Sequence, residues 1–227
     1  MIQRRLGYYW MTLSFQSGVI NSAGFVLFSI YLTHLTGIFS KIGLEAEQMN
    51  FSELAWWLFI PLVFLCGALL STVWIEGQAH TRNNPRYEWV FTLLAVAMMY
   101  LGTRHGISGP LPIWIIAFCA GAQNAVFNER TGAIMRTTHF TGNTTDLGIS
   151  LARVVFKTTG NDPDQIRFES RLVSMRASSI LCFVAGSIVG SLVALKFDYR
   201  VFWIAAVIYF GMAYDSTKVF KILRAKK

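Results

Sequence analysis

Charged residues are scarce in this chain. Only 14% of its 227 residues are Asp, Glu, Lys or Arg, whereas 54% are hydrophobic. An ordinary soluble domain carries about 25% charged residues. This shortage of charge excludes a soluble globule and a disordered chain, because neither could expose so apolar a surface to water. The class of protein that remains is an integral membrane protein with small loops.

Cysteine and acidic residues are also few. The three cysteines lie inside apolar runs without CxxC spacing, which excludes a disulfide scaffold. The four histidines share no spacing typical of metal ligands, so neither a metal nor a cofactor is predicted. Basic residues exceed acidic ones, giving a net charge of +8. In a membrane protein this excess indicates basic cytoplasmic loops rather than a nucleic-acid partner.

Long apolar runs are abundant, and a membrane-spanning helix needs about 20 such residues. The runs are continuous rather than alternating, which favours helices over the strands of a barrel. We therefore predict an all-α transmembrane protein, one six-helix bundle over residues 1–227. Its predicted spans are 6–33, 54–75, 89–103, 106–128, 177–195 and 201–214.

The distribution of basic residues predicts the orientation of these spans. An even number of spans places both termini on one side of the membrane. If that side is the cytoplasm, sixteen of the 20 Lys and Arg residues lie inside, and only Lys41, Arg104, Lys196 and Arg200 lie outside. Basic loops stay in the cytoplasm, so we expect the N-in, C-in arrangement.

The two halves of the chain resemble each other, with repeat 1 at about 4–103 and repeat 2 at about 106–218. The sequence THLTG at 33–37 corresponds to THFTG at 138–142. Two further matches are GVINS with GAQNA and FLCGA with FVAGS, at positions 18–22 with 121–125 and 64–68 with 183–187. The second half also contains a polar insertion at about 158–171, which we expect to be a cytoplasmic loop.

Each predicted repeat has three spans, so the second must enter the membrane upside down relative to the first. Inverted repeats of this kind are typical of secondary transporters and channels. The alternative is a duplication retained for helix packing alone. The pattern predicts two inverted three-helix repeats and favours transport over packing.

Amide side chains interrupt the first and fourth spans. Asn21 and Asn124 occupy corresponding positions of the repeats, and Gln123 precedes the second amide. In a membrane these groups must find hydrogen-bond partners. They can line a central path, or they can join neighbouring helices at about 0.6–2 kcal/mol each; the sequence leaves both readings open.

The THxTG turns supply further candidates. His34 and His139 can exchange protons near neutral pH or can serve as plain hydrogen-bonding groups. Gly142 predicts a break, after which Asn143 caps a helix from about residue 144 to 157 with Asp146 in its first turn. This helix can face a solute or lie at the membrane surface. The candidate path residues are Asn21, His34, Thr36, Gly37, Gln123, Asn124, His139, Thr141, Gly142, Asn143 and Asp146.

At these motifs the sequence resembles the YoaK-like family of bacterial integral membrane proteins, which contain a domain of unknown function. The match is most specific over 121–148, where GxxNA is followed by TTHxTGxxTDLG. The resemblance covers about residues 4–220 and implies a six-span protein of the bacterial inner membrane. It implies no substrate.

The leading functional hypothesis is a small transporter or permease for a polar solute, with the lipid bilayer as its surroundings and a homo-oligomer as one possible state. A non-catalytic membrane scaffold is an alternative. An intramembrane enzyme is disfavoured, because the sequence has no strained-nucleophile signature and no Ser paired with a His.

Overall fold

The computed structural model describes residues 2–81, 87–104, 109–131, 138–156 and 163–224. These residues form α-helices joined by short turns, with a 3-10 turn at Asp198–Val201 and no strand among them. The all-α prediction is thus confirmed for the described chain. The helices are α1 Ile2–Phe28, α2 Leu35–Glu47, α3 Phe51–Thr81, α4 Glu88–Thr103, α5 Leu111–Thr131, α6 Phe140–Phe156, α7 Pro163–Phe197 and α8 Phe202–Arg224.

Several of these helices have the composition of membrane spans. Three described stretches are long and apolar enough to cross a bilayer: Gly7–Phe28, Phe51–Gln78 and Pro163–Asp215, the last of which contains α7 and more than half of α8. The helices Glu88–Thr103 and Leu111–Val126 are apolar but shorter. Large apolar side chains of α3 and α7 point outward, among them Leu65, Leu69 and Leu192. An apolar outer surface of this kind belongs in lipid.

The long helices associate mainly across the two halves of the chain. α1 packs along α7 in the same direction, since Gly7 lies beside Met175 and Ser14 bonds Ser179. α3 packs along α5 in the same way. The counterpart helices α4 and α8 run in opposite directions, with Gly102 near the end of α4 against Trp203 near the start of α8.

Glycines bring the two parallel helix pairs into backbone contact. A Cβ atom at Gly18 of α1 would collide with the Phe183 carbonyl, and one at Gly121 of α5 would collide with the Phe64 carbonyl. Gly186 and Gly67 meet the carbonyls of Phe15 and Phe118 in the same manner. Small residues permit this close packing in membranes, where dispersion contacts replace the hydrophobic effect.

The chain folds back on itself after α1. Ser29 has a φ of 58°, a left-handed conformation that ends the helix. Residues 30–32 then pass beside Gly24, and Thr33 reaches Asn21, seven residues before the end of α1. At 1.5 Å per residue the chain has returned by about 10 Å along the helix. The next helix, α2, therefore begins deep in the bundle rather than at its edge.

Several boundaries differ from the sequence predictions. α6 begins at Phe140, not at residue 144, so Gly142 and Asn143 lie inside the helix instead of breaking and capping it. The helix starts earlier than predicted, because the backbone N–H of Asn143 already donates to the backbone carbonyl of His139. The insertion predicted as a loop at 158–171 is helical from Pro163 onward, where proline suits a first helical turn; residues 157–162 lie outside the described chain.

Candidate functional site

Two asparagine–threonine hydrogen bonds occupy equivalent places in the two halves. The Thr33 hydroxyl donates to Asn21 Oδ1 at 2.8 Å. The Asn124 amide Nδ2 donates to the Thr138 hydroxyl at 2.7 Å. Each bond ties the first residue of a THxTG sequence to an amide seven residues before the end of a long helix. The sequence predicted the amides and the turns as candidates; the structure joins them.

The two THxTG turns meet beside α7. The His34 ring lies edge-on to Phe183 at 5.8 Å and is 6.4 Å from the Phe140 ring. Phe140 in turn lies 4.0 Å from Phe183, and His139 directly precedes Phe140 in the chain. Phe183 faces Gly18, which lies near the middle of the apolar stretch of α1. The turns therefore meet near mid-depth of the bundle.

Two short helices start at this meeting point. His34 immediately precedes α2 in an extended conformation, with φ −122° and ψ 97°, and His139 immediately precedes α6. Neither helix has an acidic residue in its first turn. The positive ends of both helix dipoles therefore point into the middle of the bundle, and the first turn of each helix contributes no carboxylate to offset them.

The remaining predicted site residues are distributed along the two short helices. Thr36 and Gly37 are exposed in the first turn of α2, and Thr141 is exposed on α6. Asn143 is buried, and Gly142 lies so close to the His139 ring that a Cβ would collide with it. His139 itself is exposed, whereas His34 is half-buried.

Asp146 belongs to an ionic cluster that joins α6 to α7. Arg176 donates to the Asp146 backbone carbonyl at 2.9 Å and to the Ser150 hydroxyl at 2.6 Å, and its guanidinium lies 3.4 Å from the Asp146 carboxylate. Further along α6, Arg153 pairs with the buried carboxylate of Glu169 at 2.9 Å. Because Asp146 already has this partner, it holds α6 in place rather than capping its start.

Glu169 lies on the polar part of α7, before the apolar residues that follow Arg176. The nearby Ser150 hydroxyl stabilises its charged form, as do the hydrogen bond and the charge of Arg153. These interactions outweigh the desolvation of the carboxyl and lower the pKa of Glu169 below its ordinary value. The sequence analysis did not single out Ser150, Glu169 or Arg176, since a buried carboxylate and its partners are recognisable only once α6 lies on α7.

A second polar group lies between α1, α5 and α8. The Tyr209 hydroxyl donates to Gln123 Oε1 at 2.6 Å, and Gln123 Nε2 donates to the Ser17 hydroxyl at 3.0 Å. Gln16 lies against the same phenol. Gln123 was a predicted site residue. Tyr209 was missed, because a tyrosine inside an apolar run gives no sign of where its hydroxyl points.

Grooves between described helices open on the outside of the bundle. One of about 290 Å³ lies between α4 and α5 and has an apolar lining that includes Leu94 and Trp114. Another, of about 380 Å³, lies between α1 and α8 beside Tyr9, whose hydroxyl donates to Asp215 at 2.6 Å. Neither groove is lined by Asn21 or Asn124. Within the described ranges, no group of three His, Cys, Asp or Glu side chains could hold a metal ion.

Comparison with known proteins defines the family. A family model described as "Protein of unknown function (DUF1275)" matches residues 9–214. The chain therefore belongs to the DUF1275 family, with which the YoaK-like resemblance is consistent. No curated protein and no solved structure matches the chain.

Proposed function

We propose that this chain is a small transporter or permease for a polar solute in the bacterial inner membrane. It would cross the membrane six times with both termini in the cytoplasm. The observation that carries the proposal is the pair of returning turns, Thr33 bonded to Asn21 and Thr138 bonded to Asn124. They place the starts of α2 and α6 at mid-depth, where discontinuous helices bind solutes in known transporters.

The helix contacts support an inverted repeat. In the repeat alignment α1 corresponds to α5, and α7 corresponds to α3. The α1–α7 pair in one arrangement therefore corresponds to the α5–α3 pair in the other, and the glycine contacts correspond in the same way. The counterparts α4 and α8 run in opposite directions, so an axis relating them lies across the helices. In a bilayer this axis lies in the membrane plane, as alternating access between two inverted repeats requires.

Polar lining also supports a path rather than packing alone. The half-buried His34, the exposed His139 and the exposed hydroxyls of Thr36 and Thr141 all lie on or beside the two half-helix starts. A polar group exposed to hydrocarbon costs several kcal/mol. Side chains exposed at this depth are therefore consistent with a water-accessible route between the halves.

Uptake into proteoliposomes tests the proposal. The purified protein should accelerate uptake of at least one solute from a panel of radiolabelled polar and ionic compounds over empty liposomes. Asn124→Ala should reduce that uptake at least fivefold while the protein remains folded by thermal unfolding. Thr92→Ala is the matched control, because the Thr92 hydroxyl bonds only within α4, to Glu88. If no solute in the panel is taken up, a scaffold role would replace transport.

A further inference from the structure

The groove between α1 and α8 lies where two apolar stretches end. The stretch of α1 begins at Gly7, and the stretch that contains more than half of α8 ends at Asp215. The Tyr9 hydroxyl joins these two ends by donating to Asp215 Oδ2 at 2.6 Å. A carboxylate is strongly unfavourable in hydrocarbon, and tyrosines are enriched where hydrocarbon meets water. The groove therefore opens at the membrane boundary, at the level of the lipid headgroups.

The α8 side of the groove changes from apolar to acidic along one helical face. Val207, Gly211 and Asp215 are spaced four residues apart, so they follow one another along that face. The Val207 side chain is 66% exposed, and a Cβ atom at Gly211 would meet open space. From hydrocarbon towards water, this face presents an apolar surface, then a recess, then a carboxylate.

The α1 side of the groove suits a cation at the same level. Tyr8 and Thr12 line it, and the Tyr8 ring is 68% exposed at the boundary end. The face of an aromatic ring attracts a positive charge. Within the described chain Asp215 accepts a hydrogen bond from Tyr9 and forms no ion pair with Lys or Arg. The carboxylate therefore retains its charge and its second oxygen for a cation that enters the groove.

The size of the groove fits a lipid headgroup. Its volume of about 380 Å³ is near the lower end of the roughly 300–1,000 Å³ typical of small-molecule sites. A soluble amine would cover only the acidic end of the groove. A lipid would also cover the exposed apolar face that continues from Gly211 to Val207. A primary ammonium can donate hydrogen bonds to a carboxylate as well as pair with its charge, whereas a quaternary ammonium can only pair with it.

We propose that this groove binds a phospholipid whose headgroup ends in a primary ammonium. The ammonium donates to the Asp215 carboxylate and lies against the Tyr8 ring. The acyl chains follow the α8 face past Val207 into the hydrocarbon. Such a lipid is held on the outside of the bundle, so its binding does not depend on whether the bundle transports a solute.

Retention of defined lipids by the purified full-length protein tests this site. Native mass spectrometry compares phosphatidylethanolamine, phosphatidylcholine and phosphatidylglycerol with identical acyl chains. The first should be retained on about threefold more protein than either of the others, a ratio within the range of one exposed ion pair. Asp215→Asn keeps an acceptor for Tyr9 and should abolish this preference. Gly211→Leu fills the recess and should lower retention of phosphatidylethanolamine to the level of the other two lipids.

Glu53→Gln and Gly148→Leu are the matched controls. Glu53 is an exposed acid near the start of another apolar stretch, Phe51–Gln78. Gly148 is a helical glycine of α6 whose Cβ would also meet open space. Neither residue lines the groove, so both variants should keep the preference.

Two results would overturn the site itself: equal retention of the three lipids by the wild type, or a preference that survives Asp215→Asn. Displacement of the bound lipid by an excess of free ethanolamine would overturn the lipid assignment, because the groove would then be a site for a soluble amine.

Discussion

The side-chain amides of Asn21 and Asn124 each form a hydrogen bond with a threonine more than ten positions later in the chain. The repeat alignment predicted that these two amides are equivalent and that the THxTG sequences are equivalent. It did not predict that each amide bonds the first threonine of its own turn. The bond between Asn21 and Thr33 depends on the chain reversal at Ser29, and a serine in a left-handed conformation has no distinct sequence signal.

Removing the first of these bonds should weaken the fold measurably. Asn21→Ala leaves the Thr33 hydroxyl without its acceptor in a site that is only 4% exposed. We expect a loss of about 1–3 kcal/mol in the free energy of unfolding. Unfolding in detergent, followed by circular dichroism, measures it. Ser170→Ala is the control, since the exposed Ser170 hydroxyl donates only to the Ile166 carbonyl within its own helix. Equal stability of the two variants would contradict the role given to Asn21.

Glu169 predicts a pH dependence. Because its pKa is lowered in the folded state, its contribution to stability is fully present above its ordinary pKa of 4.5. This contribution is lost as the pH falls from there through the folded pKa. At pH 7 Glu169→Gln should lower the unfolding temperature by about 2–4 °C, which corresponds to about 1 kcal/mol. The difference from the wild type should shrink below about pH 4.5.

The control for this experiment is Asp164→Asn. Asp164 lies in the first turn of the same helix, but its carboxylate is 90% exposed and lies 4.0 Å from Arg167. Such a surface pair contributes little to stability. A difference between wild type and Glu169→Gln that stays constant from pH 7 to pH 3 would show that the Glu169 charge is not what holds α6 to α7.

At the scale of the helices, four glycines determine how closely the halves approach. The repeat alignment matches Gly67 with Gly186 and Gly18 with Gly121. It did not predict that the helix carrying each glycine packs against a glycine-containing helix of the other half. The structure places Gly18 and Gly186 in the α1–α7 contact, and Gly67 and Gly121 in the α3–α5 contact. Apolar periodicity identifies a span but not its neighbour, so such pairings follow only from the fold.

A single methyl group at one of these contacts should separate the helices. Gly186→Ala would press a Cβ into the Phe15 carbonyl, and backbone cannot rotate away as a side chain can. We expect a loss of about 1–3 kcal/mol in unfolding free energy. Gly148→Ala on α6 meets open space and should be neutral, or stabilising by about 0.5–1 kcal/mol through helix propensity. Comparable unfolding curves for both variants would contradict the close α1–α7 contact.

At the scale of the whole molecule, apolar runs were enough to predict where the long helices lie. All six predicted spans overlap described helices, from α1 to α8. No helix was predicted at α2, and α6 was predicted to start four residues too late, because these short amphipathic helices lack the long apolar runs that identify a span. These two helices start inside the bundle because of two hydrogen bonds and a group of aromatic contacts. The hydrophobic composition of the sequence does not predict such contacts.

Orientation in the membrane is testable by labelling. Cysteines introduced at Lys41 and Lys221, in a background lacking Cys66, Cys119 and Cys182, should differ in access from outside intact cells. The basic-residue bias predicts that an impermeant maleimide labels position 41 and misses position 221 until the cells are lysed. Labelling of position 221 in intact cells would reverse the proposed orientation.

The pairing of α1 with α7 also determines when the protein can finish folding. Gly18 finds its contact at Phe183, so synthesis must continue for roughly 10 to 30 s after the first helix is made. During that interval the Ser14 hydroxyl of α1 lacks its partner, Ser179 of α7. A chain whose synthesis stops before α7 therefore leaves Ser14 and the Gly18 face of α1 without their contacts on α7. We therefore expect degradation to act on such incomplete chains before it acts on the finished fold.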